Sequence, residues 1–193
     1  VELSELDCYH LGYILGPRIN AAGRIGSPLD AVKMLVSEKV DVCKNIANIL
    51  NETNFQRQYM TQSSIEEAEQ IIGENNNQKL LFVVGDDWHE GIVGLVAGKL
   101  NEKYHRPTLV GTRSKEGIRG SARSIEGFNI TDALSRCSEY LDRYGGHEQA
   151  AGFTVKPDME KKFSECIHKI AEEEISPGLL KKNIEVDLLL STQ

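Results

Sequence analysis

The order of apolar and polar residues divides the chain into a mainly helical first part and a second part of alternating strands and helices. Residues 1–27 are Gly-rich and show no regular period, which predicts an irregular segment. Ser27 followed by Pro28 is typical of a helix start, with the serine as N-cap and the proline in the first turn. A short helix is therefore predicted over Leu29–Val36.

A long helix is predicted over Asp41–Ile72, where apolar residues have helical spacing and Gly73 follows as a stop. The stretch 51–64 within it is almost wholly polar. A long helix with so little apolar face is typical of a bridge between two bodies rather than a core element. The turn residues Asn75–Asn77 mark the best domain boundary.

From Lys79 onward, short apolar runs alternate with amphipathic stretches, and turn residues separate them. The predicted strands are Leu80–Val84, Thr108–Gly111, Ile118–Ser124, Ala150–Val155 and Ile184–Leu190. The predicted helices are Gly91–Tyr104, Ile130–Leu141 and Pro157–Glu174. This order predicts an α/β fold with a mixed β-sheet flanked by helices and preceded by a long connecting helix.

The net charge of the 193-residue chain is −7, which by itself argues against binding to nucleic acid. The charges are unevenly placed, however. Residues 99–123 contain seven lysines and arginines against two glutamates, and acidic residues gather in 66–74 and 160–174. Such asymmetry can make one face attractive to phosphate while the whole protein stays acidic, although a solvated basic loop would have the same composition.

No apolar run approaches the roughly 18 residues that span a bilayer, so no membrane partner is predicted. The first ten residues lack a secretory signal and an initiating methionine, which we interpret as the start of a truncated piece. The four cysteines are scattered, without a Cys-x-x-Cys pair. This pattern argues against a zinc knuckle or a disulfide framework and favours a reducing cytoplasm.

The strongest local signal is the sequence YGGHEQAAG at 144–152. Gly145 and Gly146 follow a predicted helix, and their backbone can approach a ligand closely and form an anion-binding concavity. His147 comes directly after them and can donate a hydrogen bond to a phosphate or to a leaving oxygen. A helix C-cap followed by a partly buried histidine would have the same sequence.

A second candidate site is the predicted strand that contains Arg119, Ser121 and Arg123. Side chains alternate across a strand, so these three point to one side and the small or apolar residues between them to the other. Two guanidiniums that flank a hydroxyl suit the oxygens of a phosphate. A solvated face of an antiparallel strand would show the same alternation.

The turn at 85–91 is a weaker candidate, which contains Asp86, Asp87, His89 and Glu90. These residue types can ligate a metal ion, but in a short strand-to-helix turn they more often cap the helix and bind water. His89 is a candidate for substrate binding and could equally buttress the turn.

The segment 16–24 places Arg18 and Arg24 around Asn20 and three small residues, which could grip a nucleic-acid backbone. No aspartate pair, Asp-His-His run or Cys/His set with metal spacing occurs in the chain. Hydrolysis of phosphodiesters normally needs one or two bound metal ions. The sequence therefore contains candidate residues for binding the phosphodiester, which are the binding half of such a site, but no metal-ligand motif for cleaving it.

Taken in order, four motifs resemble the RecJ family of exonucleases in the DHH phosphoesterase superfamily. They are GPRINAAGRIG at 16–26, WHEGIVG at 88–94, GSARS at 120–124 and GGHEQAAG at 145–152. The Gly-Gly-His element is shared across the superfamily and with a domain of alanyl-tRNA synthetases, whereas the first motif is particular to RecJ. The resemblance covers essentially the whole chain.

The resemblance implies a 5′→3′ exonuclease that degrades single-stranded DNA in recombination and repair. Single-stranded-DNA-binding protein and a helicase are further candidate partners. The implied division is 1–27 as the tail of the DHH catalytic domain, 28–77 as connecting helices, 78–176 as the DHH-associated C-terminal domain and 177–193 as the lead into an OB-type domain. The ligands of its Mn²⁺ or Mg²⁺ ions would lie upstream of residue 1, so the chain alone is expected to be inactive.

The resemblance also implies roles for the candidate residues. By this resemblance, three residues would face the DNA cleft: Arg18, Asn20 and Arg24. Two residues, Ser121 and Arg123, would hold the region of the 5′-terminal phosphate. Gly146 and the catalytic His147 would approach the scissile phosphate.

Two other classes of protein stay open. A phosphodiesterase of the same superfamily that acts on short oligonucleotides or nucleotides would lack the OB-type continuation predicted to begin at Ile184–Leu190. A non-catalytic nucleic-acid-binding module would leave the 16–24 segment unexplained.

Overall fold

The computed structural model describes residues 3–74, 77–182 and Leu188. A group of helices precedes an α/β unit in which helices pack on both faces of one sheet, as the apolar pattern predicts. The predicted turn at Asn75–Asn77 and the predicted strand at Ile184–Leu190 fall largely outside the described residues. Within the described ranges, no helix combines the length and the apolar character needed to cross a membrane.

Most of the described residues before position 26 are helical, so the prediction of an irregular segment is wrong. A 3₁₀ turn at Leu3–Glu5 and a π-helix at His10–Leu15 lead into helix α1, Gly16–Ile25. Pro17 lies in the first turn of α1, where its missing N–H costs no helical hydrogen bond. Ala22 is buried among apolar residues of the next two helices. Tertiary packing therefore stabilises a helix of weak intrinsic propensity.

Helix α2 spans Pro28–Val36 and helix α3 spans Val40–Ile72, which confirms the two helices predicted here. Ser27 is the N-cap residue of α2 and Pro28 lies in its first turn, as predicted, although the Ser27 side chain makes no capping hydrogen bond. Its exposed hydroxyl is left to solvent, and its carbonyl accepts from the Asp30 N–H at 3.1 Å. Helix α3 ends at Gly73, whose φ of 73° lies in the left-handed region that favours glycine.

The five described strands form one mixed sheet. They are β1 (Leu81–Gly85), β2 (Thr108–Ser114), β3 (Gly117–Arg123), β4 (Leu141–His147) and β5 (Ala150–Val155). Their spatial order is β1-β2-β3-β5-β4. Strands β1 and β2 are parallel and are joined by helix α4, Glu90–Tyr104, whereas the other pairs are antiparallel. Parallel neighbours need such a connection across the sheet.

Helices cover the two faces of the sheet unequally. Val83 and Val110 pack with residues of α3 and α4 on one face. The other face packs against α5 (Ile130–Arg136) and α6 (Glu160–Glu174), with Phe163 at its centre. Gly152 of β5 and all of β4 after its first residue remain exposed. The far end of the sheet is therefore accessible on the side where α4 lies.

The predicted helix Ile130–Leu141 is only half correct. Helix α5 ends at Arg136, a 3₁₀ turn covers Ser138–Tyr140, and Leu141 already begins β4. Strand β4 lies at the sheet edge and is exposed after its first residue, so it has no apolar alternation from which it could be predicted. The glycine pair therefore lies within a strand rather than behind a helix.

Cys137 and Cys166 are joined by a disulfide with Cα atoms 6.2 Å apart, so the expectation of unpaired cysteines is wrong for this pair. They lie at the end of α5 and within α6, which the fold brings together behind the sheet. A sequence separation of 29 residues carries no pairing signal by itself. Cys8 and Cys43 are free thiols.

Phe163 is fully buried, whereas Phe55 on α3 is 56% exposed, so the two residues allow a matched test of where the core lies. We expect Phe163→Ala to lower the free energy of unfolding by about 3–5 kcal/mol, because losing a buried ring leaves a cavity. Phe55→Ala should change it by less than about 0.5 kcal/mol. Urea unfolding of both variants measures the difference, and equal losses would contradict this assignment of the core.

Candidate nucleic-acid interface

Three rows of residues cross strands β3, β5 and β4 on the accessible side of the sheet. Residues directly opposite one another on neighbouring strands point to the same side. The rows are Arg123, Ala150 and His147; Ser121, Gly152 and Gly145; and Arg119, Thr154 and Arg143. Strands lie about 4.8 Å apart, so the side chains of β3 and β4 stand about 10 Å apart across the smaller residues of β5. We call this surface, with these nine residues, the trough.

The alternation predicted for β3 is confirmed. Arg119 is exposed and Ser121 and Arg123 are half-buried, whereas the residues between them are buried on the other side. A Cβ atom at Gly120 would lie 2.3 Å from the Phe153 ring, so glycine lets the core ring approach the back of β3. One strand thus carries both the polar wall of the trough and part of the core.

The two arginines of β3 differ in their electrostatic surroundings. Arg119 Nη1 donates to Glu90 Oε2 at 2.6 Å, and this hydrogen bond raises the pKa of Arg119. Arg123 Nη1 donates to the carbonyl of Ala122 at 2.8 Å, and no carboxylate of the described residues pairs with its guanidinium. Arg123 therefore offers charged donors directly to an anion, whereas Arg119 must first leave Glu90.

Helix α4 lies directly beside this part of β3. A Cβ atom at Gly94 would stand 3.3 Å from Ser121 Oγ and 3.6 Å from Arg123 Nη2. A larger side chain there would press on both polar groups. Gly94, the second glycine of the WHEGIVG motif, therefore makes room for the polar wall of the trough.

His147 ends β4 and is exposed, so the alternative of a partly buried histidine is wrong. Its backbone is held by the start of α5, where Thr131 Oγ1 donates to the His147 carbonyl at 2.7 Å. The Ile130 N–H donates to the Glu148 carbonyl at 3.0 Å. Asn129 caps α5 by accepting from two N–H groups of the first turn at 3.1 Å. The first turn of α5 thus sets the position of the turn that carries His147.

The two adjacent glycines have different roles. A Cβ atom at Gly146 would lie 2.2 Å from the Ala150 carbonyl oxygen, so only glycine lets β4 pair closely with β5 here. A Cβ atom at Gly145 would meet nothing within 4 Å. Gly145 pairs with the exposed Gly152, and their bare backbone forms a floor that a ligand can approach closely.

The turn before α4 is used for capping and ion pairing. His89 is the N-cap of α4, and its Nδ1 accepts a hydrogen bond from the Gly91 N–H at 3.0 Å. Asp86 accepts from Arg113 at 2.8 Å. In the ranges that the structure describes, no three His, Cys, Asp or Glu side chains are placed to hold a metal ion. His89 therefore supports the helix start, which agrees with the buttressing alternative.

The N-terminal candidates lie on α1 and differ in what they contact. Arg24 Nη1 donates to the Gly91 carbonyl at 3.2 Å and so reaches the first turn of α4. Arg18 instead donates to Asn51 Oδ1 at 3.0 Å and to a backbone carbonyl one turn earlier, so it ties α1 to α3. Asn20 is exposed. The structure brings Arg24, but not Arg18, to the helix that borders the trough.

Several residues at the site were missed by reasoning from the sequence. They are Thr131, which holds His147, and Arg143 and Thr154 in the third row. The pairing of Glu90 with Arg119 was not foreseen either, because Glu90 was a candidate only as a metal ligand. Asn129 is a recognisable N-cap residue and could have pointed to α5 beginning beside this turn. The other contacts depend on which strands and helices the fold brings together, and the local sequence carries no signal of that.

Comparisons with known proteins identify relatives of this chain. The model of the DHHA1 domain matches residues 76–173. The chain is 35% identical to single-stranded-DNA-specific exonuclease RecJ of Bacillus subtilis strain 168, over 100% of this chain and 25% of that protein. It is 31% identical to RecJ of Escherichia coli K12, over 98% of this chain and 35% of that protein. These relatives confirm the resemblance that the motifs indicate.

A solved structure, RecJ of Thermus thermophilus in complex with Mn²⁺, has the same fold. It matches with a TM-score of 0.79 and 24% identity, over 87% of this chain and 25% of that one. The chain therefore spans about a quarter to a third of the curated relatives described above. Because the family model matches more than half of its residues, the chain belongs to the DHHA1 domain family.

Proposed function

We propose that this chain is the substrate-binding portion of a longer, metal-dependent 5′→3′ exonuclease of the RecJ type, which degrades single-stranded DNA in recombination and repair. The observation that carries the proposal is the row of Arg123, Ala150 and His147. It sets a guanidinium that no carboxylate of the described residues pairs with, and an exposed imidazole, about 10 Å apart across a small residue. A single strand fits between two such walls with its phosphates within reach of both.

Five of the nine residues of the trough have proposed roles that follow from their contacts. Arg123 and Ser121 hold the 5′-terminal phosphate, because a guanidinium fork and a hydroxyl both donate to its oxygens. His147 donates a hydrogen bond at the scissile phosphate, where charge develops during cleavage. Gly145 leaves its backbone open to the strand, and Arg119 becomes available once it leaves Glu90.

Mn²⁺ or Mg²⁺ is proposed as the cofactor of the complete enzyme. A bound metal ion stabilises charge on the phosphate and activates the attacking water. The residues described here do not fit such a site, since no three potential ligands converge within 3–74 and 77–182. We therefore propose ligands outside this chain and derive no step through the metal.

The proposed domain division has 1–27 as the tail of the catalytic DHH domain, 28–77 as connecting helices, 78–176 as the substrate-binding domain and 177–193 as the lead into an OB-type domain. Large apolar residues exposed on α2 and α3 support a covering domain. They include Leu29, Val32, Leu35, Val36 and Tyr59. An exposed apolar surface of this kind is typical of an interface.

The proposed partner is single-stranded DNA. A single-stranded-DNA-binding protein or a helicase is a further proposed partner, because either would present or produce the single strand. The proposed compartment is the cytoplasm, where such DNA would be met.

The isolated chain should not bind a pair of Mn²⁺ ions with micromolar affinity, because the proposed ligands lie outside it. Titration calorimetry with Mn²⁺ measures this directly. A two-site micromolar isotherm would contradict the proposal, and it would point to Asp86, Asp87, His89 and His147 as ligands.

Binding of single-stranded DNA to the chain should be weak and should fall steeply with salt, because phosphate contacts release counterions. With about two to four phosphates engaged, the log–log slope should be about −1.4 to −2.8. Arg123→Ala should reduce its magnitude by about 0.7. Arg136, which pairs with Glu174 behind the sheet, is the matched control, and Arg136→Ala should leave the slope unchanged. Anisotropy titrations would contradict the proposal if the affinity did not depend on salt.

In the complete protein, Arg123→Ala and His147→Ala should affect different steps. Arg123→Ala should weaken DNA binding by about 1.5–3 kcal/mol, the contribution of a hydrogen bond to a charged group. His147→Ala should lower kcat by about 10²–10³ and raise KM less, because its donor acts in the transition state. His147 is exposed, and the half-buried Arg123 makes no ion pair with a described residue, so Tm should hardly change.

Steady-state kinetics on a 5′-phosphorylated single strand, beside thermal melts, test this pair. If His147→Ala lowered Tm strongly while the folded fraction cleaved normally, His147 would have a structural role only. If neither variant affected cleavage, the trough would not be the DNA site.

A further inference from the structure

His147 lies on a part of the sheet that does little to hold a side chain in place. Strand β4 is at the sheet edge, and its residues 142–147 are exposed. Gly145 and Gly146 come directly before His147, and glycine has more backbone freedom than any other residue. A group that acts in a transition state must be held to within about 0.5 Å of its productive position. The edge strand alone therefore does not explain how His147 could act at the scissile phosphate.

The turn that follows β4 is held from outside the strand pair. It consists of Glu148 and Gln149, between His147 and the start of β5. The three consecutive carbonyls of His147, Glu148 and Gln149 accept hydrogen bonds from the segment 124–131 at 2.7, 3.0 and 2.9 Å. Two of these donors are backbone N–H groups, which any residue except proline could supply. The third is Thr131 Oγ1, the one side-chain donor of the three.

Thr131 is itself firmly fixed. Its N–H donates to the side chain of Asn129 at 3.1 Å, and the neighbouring Ile130 is fully buried. The other end of α5 is tied to α6 by the disulfide between Cys137 and Cys166. Threonine is β-branched, so few χ1 rotamers are open to it. The Thr131 hydroxyl is therefore a rigid point from which the backbone of the turn can be held.

We propose that Thr131 is a positioning residue for cleavage, and that its hydroxyl, through the His147 carbonyl, fixes the imidazole at the scissile phosphate. The proposal rests on the proposed function, from which it takes the role of His147. It adds a residue that lies outside the trough. The contribution of Thr131 is to the rate of cleavage and not to the affinity for DNA.

The test uses the complete protein with Mn²⁺ and a 5′-phosphorylated single strand. Thr131→Val keeps the shape of the side chain and removes the donor. We expect kcat to fall about tenfold with KM nearly unchanged, because the imidazole is still present but is less precisely placed. With EDTA in place of Mn²⁺, the Kd for the strand should stay within about twofold of the unmodified value, because no trough residue is altered.

Two further variants make the comparison specific. Thr131→Ser keeps the donor on a less restricted side chain, so kcat should stay within about threefold of the unmodified value. The matched control is Ser114, whose Oγ donates to the Gly117 carbonyl at 3.0 Å. This hydroxyl–carbonyl contact lies in the turn between β2 and β3, at the opposite end of β3 from the row of His147. Ser114→Ala should leave kcat and KM unchanged.

A double-mutant cycle tests whether Thr131 acts through His147. In a His147→Ala background, Thr131→Val should lower kcat no further, because the group that Thr131 positions is gone. An equal loss of kcat in both backgrounds would overturn the proposal and would give Thr131 a role in the fold only.

Two other results would also overturn the proposal. One is an unchanged kcat for Thr131→Val, and the other is a loss of kcat that matches a loss of folded protein in thermal melts. If Thr131→Val did not fold, Thr131→Ala would replace it in the same comparisons, since the side chain is only half-buried.

The role of His147 is tested separately from that of Thr131. If His147→Ala lowers kcat and Thr131→Val does not, the positioning role is overturned and the proposed function stands. If His147→Ala leaves kcat unchanged, the proposed role of His147 and the positioning role of Thr131 are both overturned.

Discussion

The position of β5 between β3 and β4 is the constraint on which the rest of the site depends. Its residues alternate between the buried Phe153 and the small Ala150 and Gly152 on the accessible side. A slip of one residue would turn the aromatic ring to solvent and the small residues into the core, so burial of apolar surface holds the register. The same register sets Arg123 and His147 in one row. The geometry of the site is therefore a consequence of core packing.

Local pairing, rather than the net charge of −7, sets the electrostatics of the interface. Arg119 is paired with Glu90, whereas Arg123 stands beside α4 without a carboxylate partner in the described ranges. Charges that lie beyond about 8–10 Å are largely screened at physiological salt, so the acidic helices elsewhere have little influence on the trough. A protein that is acidic overall can thus present a cationic surface to phosphate.

Elements that bury one face could be predicted from the sequence, because an apolar period records burial directly. Helix α3 and strand β3 follow their predicted patterns almost to the residue. Strand β4 could not be predicted, since an exposed edge strand has no such period. Helix α1 was also missed, because its stability comes from Ala22 packing on the next helices rather than from its own residues. The Cys137–Cys166 disulfide likewise joins helices that only the fold brings together.

By itself, the sequence determined which residue types are available and which of them share a side of a strand, as with Arg119 and Arg123 on β3. Only the tertiary structure decided which candidates meet. It set His147 in the row of Arg123, and it turned Arg18 towards α3 and away from the trough. The physical reason is the distance along the chain between the residues that interact. Alternation along a strand follows from the geometry of neighbouring residues, whereas strand order and helix contacts follow from burying apolar surface between segments far apart in the chain.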